Sequence, residues 1–564
     1  MINLKLINSM EKCFLEDKLS DFKAVSKLRM YKNERGCIQL IAEITGDLSN
    51  MPHNLFHKIE LCGELAKYAT IRTVEFVPNY TSATCLLTPG QLMQDDSGFV
   101  NNAKPGLYPD VLMPLTHKGC FQIIPEQIHP VYIDFDNFSD VPAGKYPLTI
   151  KVTHVGDENQ KAEITFETEI IDAYLPEQET KYTNWFYADC LANYYEVEAF
   201  SDRHFEICEN YIKTAVRNGI NMILMPVFTV PLDTAIGGER TTTQLVIIKK
   251  TNGKYSFDFS LCERWLDMCD RCGVKYIEVC HLFTQWGAYH APKVMATVDG
   301  EYKKIFGWET EAGSPEYVEF LRTFLKEFTT FLEKRGDKER TYFHISDEPS
   351  EQHLEQYKLN RSNIGDLLDG WKVLEALSHV EFYKQGLCKY PVPISSNIED
   401  FMPEDIEERW VYYCCSPFIK ASNRLLIDSL PRTRCIGVQM YKYGIEGFLH
   451  WGYNFYNNMH SEDSINPFLN MCAGYWGYSG DALVVYPGPK GMPIESIRLL
   501  ALKQGLDDIR IMKLCESYYG KEKVVEEIEK IFENVTFRRC IDDVATMQKI
   551  RDRMDDMISE AISK

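Results

Sequence analysis

The sequence predicts a multidomain protein. A β-sandwich spans residues 1–175, and a (β/α)8 TIM-like barrel with a helical C-terminal segment spans residues 181–564. Three observations predict this. The chain has 564 residues, more than one hydrophobic core usually supports. Its first third carries β-branched runs with partial alternation and few long helical patterns. Beyond residue 181 a helix, a glycine and an apolar strand recur in that order, the pattern of a parallel sheet flanked by helices.

In the first region, Cys37–Ile44 and Ala162–Ile170 read as strands, and Ala143–Val152 reads as a turn followed by a strand. Such short strands with turn signals between them suit a sandwich. The polar, proline-containing stretch Ala173–Thr180 reads as a linker.

The first barrel unit has a helical stripe of Phe205, Cys208, Tyr211, Ile212 and Ala215, a stop at Gly219 and the strand Asn221–Pro226. The second has Cys262, Trp265, Leu266 and Cys269, a stop at Gly273 and the strand Val274–His281. The third begins with Ser314 as cap and Pro315 at the first helical position. Val318, Leu321, Leu325, Phe328 and Leu332 keep one face apolar, and Gly336 ends the helix. The strand Thr341–Ser346 then runs into Asp347-Glu348-Pro349. Later strands are read at Pro393–Ser396, Trp410–Cys414 and Gly447–Trp451, and the count falls short of eight. From Ile494 the chain is mostly helical and charged. Pattern alone leaves a doubly wound open sheet possible, but no nucleotide-binding glycine motif follows any strand.

The net charge of −21 repels polyphosphates, so no nucleic-acid partner is expected. No window approaches the roughly 20 apolar residues of a membrane span. The N-terminus lacks the apolar run and small-residue cleavage site of a secretory signal, so a cytoplasmic location is expected. The 18 cysteines then read as reduced thiols. Cys269 and Cys272 form a C-x-x-C and Cys414 and Cys415 are neighbours, but two further zinc ligands at matching spacing do not stand out. Neither a metal nor another cofactor is expected.

Asp347 and Glu348 are the leading catalytic candidates. Barrel active sites sit at the C-terminal ends of strands, and Pro349 stops this strand. Glycoside cleavage needs a proton donor and a group that stabilises positive charge at the anomeric carbon, and a pair of acids in unlike surroundings supplies both. The alternative is two exposed loop acids. Aromatics form 12% of the chain, and Trp451, Tyr453 and Asn454, after the strand at Gly447–Trp451, suit a sugar platform with a polar rim. Here too, ordinary core packing is an even alternative. His281, Gln285 and Trp286 end another strand in the same way, and Tyr413 and Tyr486 complete the expected substrate contacts.

Several segments together resemble glycoside hydrolase family 123, the β-N-acetylgalactosaminidases: Gly106–Asp110, Ala143–Tyr146, Asp347–Pro349, Tyr443–Gly452, Gly480–Gly488 and Pro493–Arg498. The similarity runs through nearly the whole chain. The resemblance implies a retaining β-N-acetylgalactosaminidase that releases terminal β-linked N-acetylgalactosamine from oligosaccharides or glycoconjugates. It also implies substrate assistance: the sugar's 2-acetamido oxygen attacks the anomeric carbon through an oxazolinium intermediate. Asp347 would orient the acetamido group and Glu348 would serve as general acid and then base. Two alternatives stay open, an ordinary retaining glycosidase with a protein nucleophile and a non-catalytic carbohydrate-binding protein of the same fold. Glu446, a nucleophile candidate, precedes its strand and is expected at the wrong end of the barrel.

Overall fold

Residues 2–171 build two five-stranded sheets that face each other. The first runs, in spatial order, Ile2–Asn8, Gly36–Ile44, His129–Phe135, Ala69–Asn79 and Gly106–Pro114. The second runs Lys27–Tyr31, Asp157–Ile171, Gly144–His154, Phe56–Cys62 and Cys120–Gln122. Alternate residues point inward, so Leu40, Val131 and Ile133 meet Leu148, Ile150, Val152 and Phe166 in one apolar layer. The computed structural model describes residues 1–46, 54–81, 104–115, 119–285, 287–417, 419–475 and 478–563.

The segment read as a linker is tied down. Asn33 exchanges two hydrogen bonds with the Leu175 backbone, at 2.7 and 2.9 Å. Arg510 Nε donates to the Pro176 carbonyl at 2.8 Å.

Eight parallel strands follow: β1 (Lys181–Asn184), β2 (Met222–Met225), β3 (Tyr276–Val279), β4 (Thr341–Phe343), β5 (Lys372–Ala376), β6 (Tyr390–Val392), β7 (Trp410–Tyr412) and β8 (Gly447–His450). Neighbours in space run β6-β5-β4-β3-β2-β1-β8-β7. A parallel bridge from Ile394, just past β6, to Tyr412 of β7 nearly closes the barrel. Three strands differ from the sequence reading. β1 and β5 lie outside it, and the strand placed at Pro393–Ser396 is β6, which ends at Val392.

Helices intervene between the strands, but not evenly. Asp202–Arg217, Ser260–Cys272 and Pro315–Arg335 are long, whereas Glu381–Lys384 after β5 and Ile398–Phe401 after β6 have four residues each. The regular helical jacket of the expected (β/α)8 pattern is thin on that side because the connections are short. The expected helical stripes are buried except for the half-buried Val318, and Gly273 and Gly336 end their helices at φ +82° and +83°, where a side chain would be strained. Ser314 stands at the expected cap position of its helix, but its side chain makes no capping bond. Helices Ile497–Tyr519, Lys521–Ile531 and Val544–Ile562 finish the chain.

Buried ion pairs join the sheets to the barrel. Arg35 and Arg72 both bind Asp134 and Glu495. Arg498 makes a two-point pair with Asp110, both contacts at 2.9 Å, and Tyr486 also donates to Asp110. Paired guanidinium and carboxylate groups tolerate burial only when their remaining hydrogen bonds are met. Arg498 meets its own with the carbonyls of Arg424, Gly480 and Leu483. Among the described residues no helix is long and apolar enough to cross a membrane.

Candidate active site

β4 ends at Phe343, and Glu375 of β5 holds the residues beyond it. The Glu375 carboxylate accepts the backbone N–H groups of Ile345 (2.6 Å) and Ser346 (3.3 Å). Burial nonetheless pushes its carboxyl up to about 7. The chain then turns at Glu348, whose φ of +45° is uncommon for a residue with a side chain. Its N–H is held by the Ala376 carbonyl at 3.1 Å. This turn breaks strand alternation and lets two successive carboxylates reach the same cavity.

That cavity, about 170 Å³, lies at the C-terminal mouth of the barrel. Asp347 and Glu348 share it with Trp185 after β1, Asp233 after β2 and Gln285 after β3. Tyr412, Cys414 and Cys415 line it from β7, Trp451 from β8, and Asp481 from a later loop. Active residues of parallel barrels collect at this face.

The two acids have different surroundings. Asp347 is only 3% exposed. Gln285 Nε2 donates to its Oδ2 at 2.6 Å. Burial pushes the Asp347 carboxyl well above the usual range, the charge of Glu348 adds to the rise, and the Gln285 bond opposes it. Glu348 is exposed to the cavity and accepts a 2.7 Å hydrogen bond from Tyr412 Oη.

A buried network sets the floor. Glu278 of β3 accepts from Trp185 Nε1 at 2.8 Å, from His344 Nε2 at 2.5 Å and from Thr183. Trp185 is thereby fixed facing the cavity. After the neighbouring strand β8, Trp451 Nε1 donates to Asp481 Oδ2 at 2.9 Å. Asp481 is 1% exposed, and burial pushes its carboxyl up to about 7. Its Oδ1 lies 3.3 Å from His450 Nε2 but is not aligned for a hydrogen bond.

Of the expected substrate contacts, Trp451 lines the cavity. His281 lies below it in the barrel interior, fully buried, stacked on His344 at 4.3 Å. Tyr413 is buried against Phe448 and His450, because successive strand residues face opposite ways and Tyr412 takes the cavity side. Tyr453 Oη donates to the Tyr211 carbonyl at 2.9 Å, deep in the core. Asn454 is spent on the Tyr187 backbone, giving one hydrogen bond (3.0 Å) and taking another (2.9 Å). Tyr486 is buried with Asp110. These five serve packing rather than the cavity wall. Trp286 lies outside the described residues.

The sequence reading missed Trp185, Tyr187, Asp233, Tyr412 and Asp481 as wall residues. A strand reading of Lys181–Asn184 would have put Trp185 at a strand end. Among the described residues no cluster of three or more His, Cys, Asp or Glu side chains is arranged to hold a metal.

The family model for the glycoside hydrolase 123 catalytic domain matches residues 185–515. Among solved structures, a family 123 glycoside hydrolase from Clostridium perfringens, described for glycolipid glycan hydrolysis, aligns over 100% of this chain and 97% of its own. The TM-score is 0.70 and the identity 15%, so the likeness is one of fold. A GH2 β-galacturonidase from Eisenbergiella tayi covers 84% of this chain and 69% of its own, at 9% identity and a TM-score of 0.29, too low to carry an argument. No curated protein sequence matches the chain.

Proposed function

The chain belongs to glycoside hydrolase family 123, and from that premise we propose that it is a retaining β-N-acetylgalactosaminidase using its substrate's 2-acetamido group as nucleophile. The catalytic unit is the barrel with its C-terminal helices, residues 181–564, and the barrel is read as a (β/α)8 type. The substrates are glycans ending in β-linked N-acetylgalactosamine, and the clostridial relative's glycolipid chemistry puts glycolipids among those to test.

One observation carries this reading: two adjacent carboxylates enter one cavity, one buried and amide-bound, the other exposed and hydroxyl-bound. In this mechanism the acetamido oxygen attacks the anomeric carbon while Glu348 gives its proton to the departing oxygen. Positive charge then develops on the acetamido group. Asp347 accepts the acetamido N–H, and its ionised form is favoured as that charge grows. A carboxylate aimed at developing charge in a water-poor site acts more strongly than it would in water. Glu348, reachable by water, next takes a proton from the water that opens the intermediate.

A protein nucleophile fits less well. Glu446 lies before β8, at the opposite end, accepting the Arg409 N–H. The other cavity acids, Asp233 and Asp481, are both pushed up by burial, which disfavours the ionised form a nucleophile needs. The deciding test is a set of aryl β-glycosides that vary the 2- and 4-positions. The N-acetylgalactosaminide should be cleaved and its 2-hydroxyl counterpart should be nearly inert. A thiazoline mimic of the intermediate should inhibit strongly. Trapping a fluorosugar on a protein carboxylate would overturn the proposal.

A further inference from the structure

Cys414 and Cys415 stand side by side in the wall of the active-site cavity, their Sγ atoms 3.8 Å apart. Both are partly exposed. Most other described cysteines are buried in the core, as inert thiols usually are. The pair begins two residues after Tyr412, which holds Glu348. Each thiol has a polar neighbour: the two sulfurs face each other, and Cys414 Sγ also approaches the Ser416 carbonyl at 3.8 Å. The Cys414 backbone carbonyl is fixed by Asn423 Nδ2 at 2.9 Å, so the pair is presented on an anchored segment. Neither the proposed hydrolysis nor the packing of the barrel calls for two thiols here.

We propose that Cys414 and Cys415 form a dithiol site for a soft, trivalent thiophilic centre, of which arsenic(III) is the type, and that its occupation closes the catalytic cavity. With an organoarsenic oxide the step balances without any oxidant. The arsenic–oxygen double bond is lost, two arsenic–sulfur bonds form, and the two thiol protons leave with the oxygen as water. Arsenic stays trivalent. Both sulfurs are close enough for one centre to bridge them, and holding the second sulfur in place after the first has bonded supplies a high effective concentration. The Cys415 contact and burial hold Cys414 as the neutral thiol. Neutral thiols react slowly with alkylating agents, which need the thiolate. A reagent that gains from two bonds is therefore the one this geometry selects. The bridged centre would stand beside Glu348 and Tyr412.

The closure of the cavity rests on the functional reading above, whereas the site itself does not. The test is titration of the full chain with phenylarsine oxide, read by intact mass, peptide mapping and aryl-glycoside hydrolysis. One condensed adduct per chain is expected, mapped to Cys414 and Cys415. Hydrolysis should be lost in proportion and restored by 2,3-dimercaptopropanol, but not by an equal excess of a monothiol. Cys414→Ser and Cys415→Ser should each raise the reagent concentration needed for half-inhibition by about 10²-fold, relative to each variant's own untreated rate. A cavity-filling thiazoline should slow adduct formation in the wild-type protein, which tests the site without any substitution. Adducts mapped to other cysteines, or inhibition unchanged in both variants, would overturn the site. A mapped adduct with full hydrolysis would overturn the closure. If the untreated protein cleaves no N-acetylgalactosaminide, the functional reading fails, and the mapped adduct still decides the site.

Discussion

Gln285 donates to Asp347 at 2.6 Å, and the same side chain accepts the Asp233 N–H at 2.7 Å through its oxygen. The buried acid is thus held by an amide that is itself oriented, so Gln285 fixes where the Asp347 carboxylate points. Gln285→Ala should lower kcat/KM for an aryl N-acetylgalactosaminide by ~10-fold or more, the scale of a hydrogen bond to a charged group. The bond favours the ionised form, so its loss should raise the Asp347 pKa further and move the acid limb of the pH–rate profile upward. An unchanged limb would show that Gln285 does not act through Asp347.

Substitutions of the acid pair should separate by leaving group. Glu348→Gln should slow substrates with poor leaving groups by roughly 10²–10⁴-fold, the range of a positioned acid, and activated aryl substrates far less. Asp347→Asn should slow both kinds alike. Steady-state kinetics on a leaving-group series would decide, and equal slopes for the two variants would reject the division of roles.

Activity should also fall on the acid side at a pH above the ordinary carboxylate range. Burial first, and the neighbouring charge of Glu348 second, raise the Asp347 pKa, and in the proposed mechanism the ionised form is the working one. In Glu348→Gln, assayed on an activated aryl substrate, this acid limb should persist but move to lower pH, because the neighbouring charge that helps to raise it is gone while the burial remains. An acid limb near pH 4 would contradict the assignment.

Glu375 carries a stability signature. Its folded pKa, about 7, lies above the ordinary value of about 4.5. Between those values the folded state keeps a proton that the unfolded state has lost, so this residue's contribution is greatest below pH 4.5 and declines as pH rises to 7. The shift corresponds to roughly 3 kcal/mol at most. In Glu375→Gln the loss of Tm between pH 5 and 8 should be smaller than in the wild type. A parallel pair of curves would refute this. Baseline stability should drop in the variant, because one acceptor for Ile345 and Ser346 is replaced by a donor.

Much of the barrel was legible because its strands are apolar and follow a helix closed by glycine, as with Gly219 before β2 and Gly273 before β3. β1 and β5 were not: Lys181–Asn184 follows a polar stretch with no helix or glycine just before it, and Lys372–Ala376, although it follows Gly370, carries Lys372 and Glu375 in five residues and so does not read as an apolar run. Asp347 and Glu348 stood out because they lie between an apolar run and a proline, although the strand itself ends earlier, at Phe343. The aromatics were harder. Tyr412 and Tyr413 differ by a single step of strand phase, and sequence alone did not say which one faces the cavity. Tyr453 and Asn454 follow a strand as ligand contacts do, and Tyr486 lies in the short strand Val485–Pro487, yet their polar atoms meet backbone or buried charge. Such groups need partners in a core as much as in a binding site.

The pairing of Asp110 with Arg498 has an implication for modularity. Arg498 grips the Gly480 and Leu483 carbonyls on either side of Asp481, and its charge is answered from the first sheet. The leading sheets are therefore not a detachable accessory that could be traded for another carbohydrate-binding unit. A free-standing barrel would carry an unanswered guanidinium beneath the loop that presents Asp481 and anchors Trp451. Shuffling at this boundary would disturb the pocket itself, so the two halves are bound to be inherited as one piece.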